Sequence, residues 1–122
     1  MTVYPGIKLE AILALNVTTA QPHGHIDYVD YGPTGEAAYP NSTTFAMNNS
    51  TAVTILSAPM AGQTKVRQVT ELMIYNDDTG NISAAIRSSD GTTVRLYVST
   101  VITSSKALLY QSPGGAGWQF NI

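Results

Sequence analysis

Apolar and polar residues alternate in short blocks over residues 69–110. Four segments rich in Val, Ile, Leu and Tyr are separated there by polar breaks at 77–80, 88–91 and 103–105. Short apolar segments bounded by Asp, Gly, Ser and Thr are typical of β-strands joined by turns. The pattern predicts an antiparallel meander of four strands, with the rest of the chain arranged around it.

The strand predicted over residues 92–102 has the most regular alternation of the four. Its apolar face is predicted to carry Val94, Leu96, Val98 and Ile102, and its polar face Thr93, Arg95 and Ser99. The Asp90-Gly91 pair before it is a strong hairpin signal. The strand predicted over 65–76 changes phase instead, and a β-bulge near Gln68 accounts for that change.

The first fifty residues are less regular than the second half of the chain. Residues 1–8 contain a Pro-Gly pair and are predicted to form an N-terminal arm, whereas 7–17 and 25–31 are predicted strands. Residues 32–50 are predicted to form a long loop region that contains one short edge strand, 43–47. Long loops in small β domains are often interaction surfaces.

These segments predict one domain over residues 1–122, of the all-β class. It contains about eight short strands, and no segment has a long helical period. With 43% apolar residues, the chain can bury a core of its own. The expected architecture is an antiparallel β-sandwich, jelly-roll-like because a jelly roll has about eight strands.

Charged residues make up only 11% of the chain, against about 25% in ordinary globular domains. Ser, Thr, Asn and Gly take their place, which suits a protein embedded in an assembly or exposed outside a cell. The 6 Lys and Arg residues are too few for the basic surface that nucleic acid binding needs. The longest aliphatic run, 11–15, is too short to cross a membrane or to form the core of a secretory signal. We therefore expect neither a nucleic acid nor a membrane partner.

His23, His25 and Asp27 form the single metal-like cluster of the sequence. In an extended strand their side chains share one face, because strand side chains repeat with a period of two. Imidazoles and a carboxylate are suitable ligands for zinc or iron. The sequence offers no further His to complete the shell, although a carboxylate or a neighbouring subunit could do so. The competing interpretation is a pair of exposed or hydrogen-bonded histidines. We therefore expect no metal and no cofactor, and we keep these three residues as the one candidate metal site.

Other arrangements of catalytic side chains are missing from the sequence. Asp27 and Asp30 fall on opposite faces of a strand, and Asp77-Asp78 lies in a turn, where Asp is favoured for backbone hydrogen bonding. The G-x-S-x-G motif is absent, and the Gly-rich segment 114–117 leads into a strand, not into the helix that a phosphate loop requires. The chain has no cysteine, which excludes thiol catalysis. We predict that the protein is not an enzyme and has no catalytic residues.

Aromatic side chains offer a different kind of site. Tyr28, Tyr31, Tyr39 and Trp118 are able to stack on sugar rings, as aromatic residues do in lectin sandwiches. Tyr and Trp are also enriched in strands, where they pack against neighbouring side chains. We favour packing as the role of these four residues.

Residues 51–120 resemble a small β-sandwich module found in virion proteins of tailed bacteriophages. The resemblance lies in a T-I-L-S-A-P strand, a strand ending in Asn with an Asp-Thr turn, an Asp-Gly-Thr-Thr hairpin, a Leu-x-Tyr pair and a closing Trp after a Gly-rich loop. The matching residues are Thr54, Ile55, Ala58, Pro59, Asn76, Asp78, Thr79, Asp90, Gly91, Thr92, Thr93, Leu108, Tyr110, Gly117 and Trp118. The chain departs from the pattern in 32–50 and at 103–105. These motifs identify an architecture rather than a site.

The resemblance implies a non-enzymatic structural protein of a phage particle. A single module with a short arm is most similar to a capsid cement, or decoration, protein. That implies a homotrimer on the capsid surface of the virion, bound to the major capsid protein and made in the bacterial host cytoplasm. The candidate partner-binding residues are Tyr4, Ile7, Tyr31 and Tyr39. The alternatives are a tail-fibre or receptor-binding module that binds glycans, and a metal-dependent cupin-like enzyme on the same fold.

Overall fold

Ten β-strands are found in the computed structural model, which describes residues 1–32, 34, 36–59, 66–112 and 117–122, without the side chains of 37–39. They are β1 (Thr2–Val3), β2 (Lys8–Leu13), β3 (His23–Tyr31), β4 (Ala37–Ala46), β5 (Val53–Leu56), β6 (Val66–Tyr75), β7 (Ile82–Ser89), β8 (Val94–Ile102), β9 (Ala107–Gln111) and β10 (Gly117–Gln119). Within the described residues, no helix has the length and apolar character needed to cross a bilayer. Of the Gly-rich segment 114–117, only Gly117 belongs to the described part of the chain.

The strands form two antiparallel sheets. The six-stranded sheet has the order β10-β9-β6-β3-β4, with β1 beside β6, and the four-stranded sheet has the order β5-β2-β7-β8. The predicted all-β antiparallel sandwich is confirmed. The expected count of about eight matches β2 to β9, to which β1 and β10 add two very short strands.

The core lies between the two sheets, because alternate residues of each strand point inward. Fully buried side chains from the six-stranded sheet include Ile26, Val69, Leu72, Ile74 and Leu108, and those from the four-stranded sheet include Leu9, Leu13, Ile86 and Ile102. Each such aliphatic side chain stabilises the fold by about 1.5–3 kcal/mol relative to an exposed position. The alternation of apolar residues therefore brings two half-apolar sheets together face to face.

The predicted four-stranded meander is wrong in its connections. Within residues 69–110, only β7 and β8 form a hairpin, whereas β6 and β9 pair with each other in the opposite sheet. The breaks at 77–80 and 103–105 therefore carry the chain from one sheet to the other. Buried Asn76 joins these two crossovers, since its Nδ2 donates to the carbonyl oxygens of Gly80 and Ile102 at 2.9 Å. A polar break signals that a strand ends, but it does not specify which sheet the next strand enters.

Asp78 binds a third connection, the loop between β2 and β3, at the same end of the sandwich. This residue is only 2% exposed. Its carboxylate accepts hydrogen bonds from the backbone N–H groups of Thr18, Thr19 and Ala20 at 2.8, 2.6 and 3.2 Å, and from the Thr19 hydroxyl at 2.9 Å. These donors belong to the loop between β2 and β3. The predicted turn position of Asp78 is confirmed, and the residue also joins two loops that are distant in sequence.

The alternation predicted for β8 fails in its first half. Ile86 of β7 lies opposite Val98, but Arg87 lies opposite Leu96, so that Tyr97 is an extra residue in a β-bulge. Because of this extra residue, the side chains of β8 that precede Tyr97 point to the opposite face from the one predicted. Val94 and Leu96 are consequently 49% and 59% exposed, although they were predicted to share the buried face of Ile102.

The bulge predicted in β6 is present. Asp27 of β3 lies opposite Glu71 and Tyr28 lies opposite Val69, which leaves Thr70 as the extra residue. The bulge thus lies two positions beyond Gln68. It brings both Val69 and Leu72 to the core, as the change of phase in the sequence required.

The long loop region predicted over 32–50 is wrong, because most of it is β4. This strand of 10 residues pairs with β3 along its length and lies at the edge of the six-stranded sheet. An edge strand can contain Pro40, whose missing N–H is not required by a second neighbour. The Pro and Asn residues that suggested a loop are therefore compatible with a strand at this position.

The N-terminal arm predicted over 1–8 is also wrong for its first residues. Thr2 pairs with Gln68 and Val3 with Arg67, and Val3 is 1% exposed. Because β3 occupies one edge of β6 and β9 pairs with its C-terminal half, β1 fills the remaining part of the other edge. The start of the chain is a strand of the sheet, followed by an exposed turn at 4–6.

Candidate functional site

Three ligand-type side chains meet on the outer face of the six-stranded sheet. His25 and Asp27 project from the same face of β3, and Glu71 of β6 is the cross-strand partner of Asp27. Nε2 of His25 lies 2.9 Å from Oε1 of Glu71, and one ligand atom from each of the three residues lies within 4.8 Å of the others. All three side chains are partly buried. We call this group the His25 cluster.

The structure brings together only two of the three predicted metal-site residues. His25 and Asp27 belong to the His25 cluster, but His23 does not. Nδ1 of His23 instead pairs with the Asp77 carboxylate, and the imidazole contacts the ring of Tyr75 at a centroid distance of 5.9 Å. The third member, Glu71, was missed because only the pairing of β3 with β6 places it there.

Glu71 is held by its neighbours in the ionised state. Nε2 of Gln111 on β9 donates to Oε2 of Glu71 at 3.1 Å, while His25 contacts Oε1. The hydrogen bond from Gln111, with that from His25, lowers the pKa of Glu71 below its ordinary value. At neutral pH the His25 cluster therefore contains a fixed carboxylate that faces Asp27.

A second feature is the exposed edge of the four-stranded sheet. β8 pairs with β7 on one side, and no described strand pairs with its other side. Large apolar side chains are exposed along it, Val94, Leu96 and Val101 at 49%, 59% and 50%, and Leu15 at 79% borders a depression together with Val101. We call these four residues the β8 surface.

The β8 surface carries few devices that discourage strand pairing. Natural edge strands are usually protected by Pro, Lys or inward-pointing charges. The sequence of β8, VRLYVSTVI, has neither Pro nor Lys, so that Arg95 and the bulge at Tyr97 are its protective features. The neighbouring Arg87 is neutralised by Glu10, whose carboxylate also binds Lys8 at 3.1 Å. A partner can therefore cover this edge with little loss of charge hydration.

Two of the four predicted partner-binding residues lie beside β8. Tyr4 and Ile7 line a cleft of about 200 Å³ together with Arg95 and Tyr97. Tyr31 does not line it and is half-buried in the six-stranded sheet, opposite Val66. Tyr39 lies in β4, where its backbone pairs with Asp30 of β3. The side chain of Tyr39 lies outside the described part of the structure. The exposed Tyr4 thus extends the apolar area next to the β8 surface.

Two of the four aromatic residues considered for sugar stacking pack against the core. Trp118 contacts Tyr110 with ring centroids 4.9 Å apart, and both rings lie against core residues. Tyr28 also packs on the core and carries the Arg67 guanidinium over its ring at 5.2 Å. The prediction that these residues serve packing is confirmed for Tyr28 and Trp118.

Comparison with known protein families, curated proteins and solved structures finds no match to this chain. Two features of the structure bear on function. One is a compact group of potential ligands on the six-stranded sheet. The other is an apolar, unpaired edge on the four-stranded sheet.

Proposed function

We propose that the protein is a structural protein of a tailed-phage particle, which binds the capsid shell and stabilises it as a cement, or decoration, protein. The observation that carries this proposal is the β8 surface, an unpaired edge strand with large exposed apolar side chains. Large apolar side chains exposed beside an unpaired strand edge favour association with another protein. The resemblance of the strand and turn motifs to phage virion modules supports the same role.

The proposed partners are further copies of the chain and the major capsid protein. In a homotrimer on the outer surface of the capsid, each copy would use the β8 surface and the adjoining Tyr4 to contact its neighbours. Interfaces of permanent assemblies are depleted in charged residues and enriched in apolar ones. The β8 surface has that composition, since its four residues are apolar and Arg95 is the one charged residue of strand β8.

Substitution of Leu96 by Lys tests the proposal. A lysine placed at the centre of an apolar contact has to be desolvated without a partner, so we expect capsid binding to weaken about tenfold or more. Binding is measured by co-sedimentation with empty capsids assembled from a phage major capsid protein. Native mass spectrometry measures the oligomeric state of the same samples.

Thr44 provides the matched control, because it is an exposed strand residue on the opposite sheet. Thr44→Lys adds the same charge, and we expect it to leave binding and oligomeric state unchanged. A wild-type protein that is monomeric and does not sediment with capsids would overturn the proposal. Equal binding by folded Leu96→Lys protein would show that the β8 surface is not the contact.

The glycan-binding alternative receives less support from the structure. It requires exposed aromatic rings on which a sugar can stack. Two of the candidate rings, Tyr28 and Trp118, pack against the core instead. No observation among the described residues favours sugar binding over protein association.

A further inference from the structure

We propose that His25, Asp27 and Glu71 bind one divalent transition-metal ion such as zinc. The inference does not depend on the proposed capsid function. It rests on the geometry, the charge and the surroundings of the His25 cluster.

The geometry needs only a small adjustment to hold an ion. Ligand atoms about 2.0–2.2 Å from a tetrahedral zinc lie roughly 3.3–3.6 Å from one another. The ligand atoms of the three residues already lie within 4.8 Å, and His25 and Glu71 are 2.9 Å apart. Side-chain movements of about 1 Å are enough to bring the three ligand atoms to the distances of a zinc site.

The backbone that carries the ligands is fixed by pairing. Asp27 and Glu71 are directly opposite on adjacent strands, and β3 and β6 both have neighbours on each side. The bulge residue Thr70 adjoins Glu71, and its hydroxyl donates to the carbonyl oxygen of Asp27 at 3.1 Å. Bulges next to binding sites commonly redirect a side chain, as this one does for Glu71. Gln111 orients the Glu71 carboxylate from β9, in the way that outer hydrogen-bond partners orient metal ligands.

The charge of the His25 cluster is unbalanced without a cation. Like charges directly opposite on neighbouring strands are destabilising, and here two carboxylates face each other. The Asp27 side chain has no hydrogen-bond or ion-pair partner among the residues that the structure describes. Arg67, on the same strand as Glu71, does not supply this charge, because it pairs with Asp30 at 3.0 Å and donates to Ser57. A bound cation would supply the missing positive charge.

The donor set selects the class of ion. One imidazole nitrogen with carboxylate oxygens suits zinc and related transition metals, whereas magnesium and calcium prefer oxygen ligands alone. Three protein ligands leave a position for water or for a group from another molecule. The site is therefore able to bind a metal by itself or to share it with a partner.

Isothermal titration of untagged protein with zinc chloride tests the proposal. We expect one zinc ion per chain in the wild type, with binding weakened about tenfold or more in His25→Ala and Asp27→Asn. The matched control is His23→Ala, which removes the other histidine from the same face of β3 and should keep wild-type affinity within about threefold. Zinc binding should also raise the melting temperature of the wild type and of His23→Ala, but not of the other two variants.

Asp27→Asn separates a ligand role from a structural one. Because it removes one of two facing carboxylates, the metal-free variant should melt at or above the wild-type temperature while its zinc affinity falls. A lower melting temperature without metal would instead show that Asp27 supports the fold. The proposal is overturned if the wild type takes up no zinc at 1:1 stoichiometry, or if His23→Ala loses affinity as much as His25→Ala does.

Discussion

Replacing Asp78 by Asn is expected to lower the melting temperature by about 10 °C or more, because one of its charge-assisted hydrogen bonds is lost and the others are weakened together. The buried carboxylate accepts from three consecutive backbone N–H groups, at 18–20, and from the hydroxyl of Thr19. An amide has one acceptor oxygen. With that oxygen in the Oδ1 position, the NH2 group would face the N–H of Thr18, and the bonds from residues 19 and 20 would lose their charge assistance. The loop between β2 and β3 would therefore lose its attachment to the crossover between β6 and β7.

Thermal unfolding followed by circular dichroism measures this effect. Asp77→Asn is the matched control, because it makes the same substitution at the neighbouring exposed position. Its contact with His23 is an exposed pair, and such pairs contribute little to stability. Similar melting temperatures for the two variants would contradict the role assigned to Asp78.

Acid titration provides an independent test of the same carboxylate. The hydrogen bond from the Thr18 backbone, with those from Thr19 and Ala20, holds the pKa of Asp78 well below its ordinary value. Below about pH 3.9 the unfolded chain therefore binds a proton that the folded chain does not, and stability falls as pH decreases. Above that pH the contribution is fully present. Asp78→Asn should flatten the decrease in melting temperature between about pH 5 and pH 2.

Asp78 is not the single carboxylate with a lowered pKa. Glu71, Glu10 and Asp90 are also shifted downward, Asp90 chiefly by the hydrogen bond from the Thr93 backbone. The acid dependence should therefore decrease in Asp78→Asn without disappearing. An unchanged slope in this variant would mean that Asp78 is not the main acid-sensitive anchor.

Substitution of Gly24 by Ala should destabilise the protein by about 3 kcal/mol, near the upper end for overpacked positions. Gly24 lies in β3 between the two histidines and points into the sandwich. A Cβ atom there would overlap the carbonyl oxygen of Met73 and come within 2.7 Å of Cζ of Phe45. The Phe45 ring can rotate away, but the Met73 carbonyl belongs to the paired backbone of β6. The strands would have to separate locally to make room.

Urea denaturation of Gly24→Ala measures the loss, with Gly91→Ala as the control. Gly91 has φ +97° in the β7–β8 hairpin, and a Cβ atom added to it would have no other residue's atoms within 4 Å beyond its chain neighbours. Its substitution carries backbone strain alone, so we expect a cost of about 1 kcal/mol. Equal costs at the two positions would show that the space beside Gly24 is larger than the structure indicates.

The fold class could be predicted because most strands keep one apolar face. In β7, the buried residues Ile82, Ala84 and Ile86 alternate without interruption. The phase change of β6 likewise revealed its bulge. In β8 the sequence alternates regularly through its bulge, because Val94 and Leu96 are apolar although exposed. The alternation therefore predicted the wrong face for these two residues, which are apolar but belong to a candidate contact surface.

The candidate sites depend on strand pairing, which a single sequence does not reveal. His25 and Asp27 share a face because of the strand period alone, but Glu71 joins them from 46 positions beyond His25. The backbone donors of Asp78 lie 58 to 60 positions before it. Local chemistry could identify Asp78 as a turn residue. It could not identify the loop that this carboxylate holds.

The position of β2 also determines when the chain is able to fold. β2 lies inside the four-stranded sheet, between β5 and β7, and its Glu10 contacts an arginine 77 positions later. Pairing across such a separation requires closure of a long loop and makes folding slow. During synthesis, the apolar residues of β2 must therefore stay unpaired on one side until β7 has left the ribosome. Protection of this early strand by a chaperone would benefit the nascent protein at that stage.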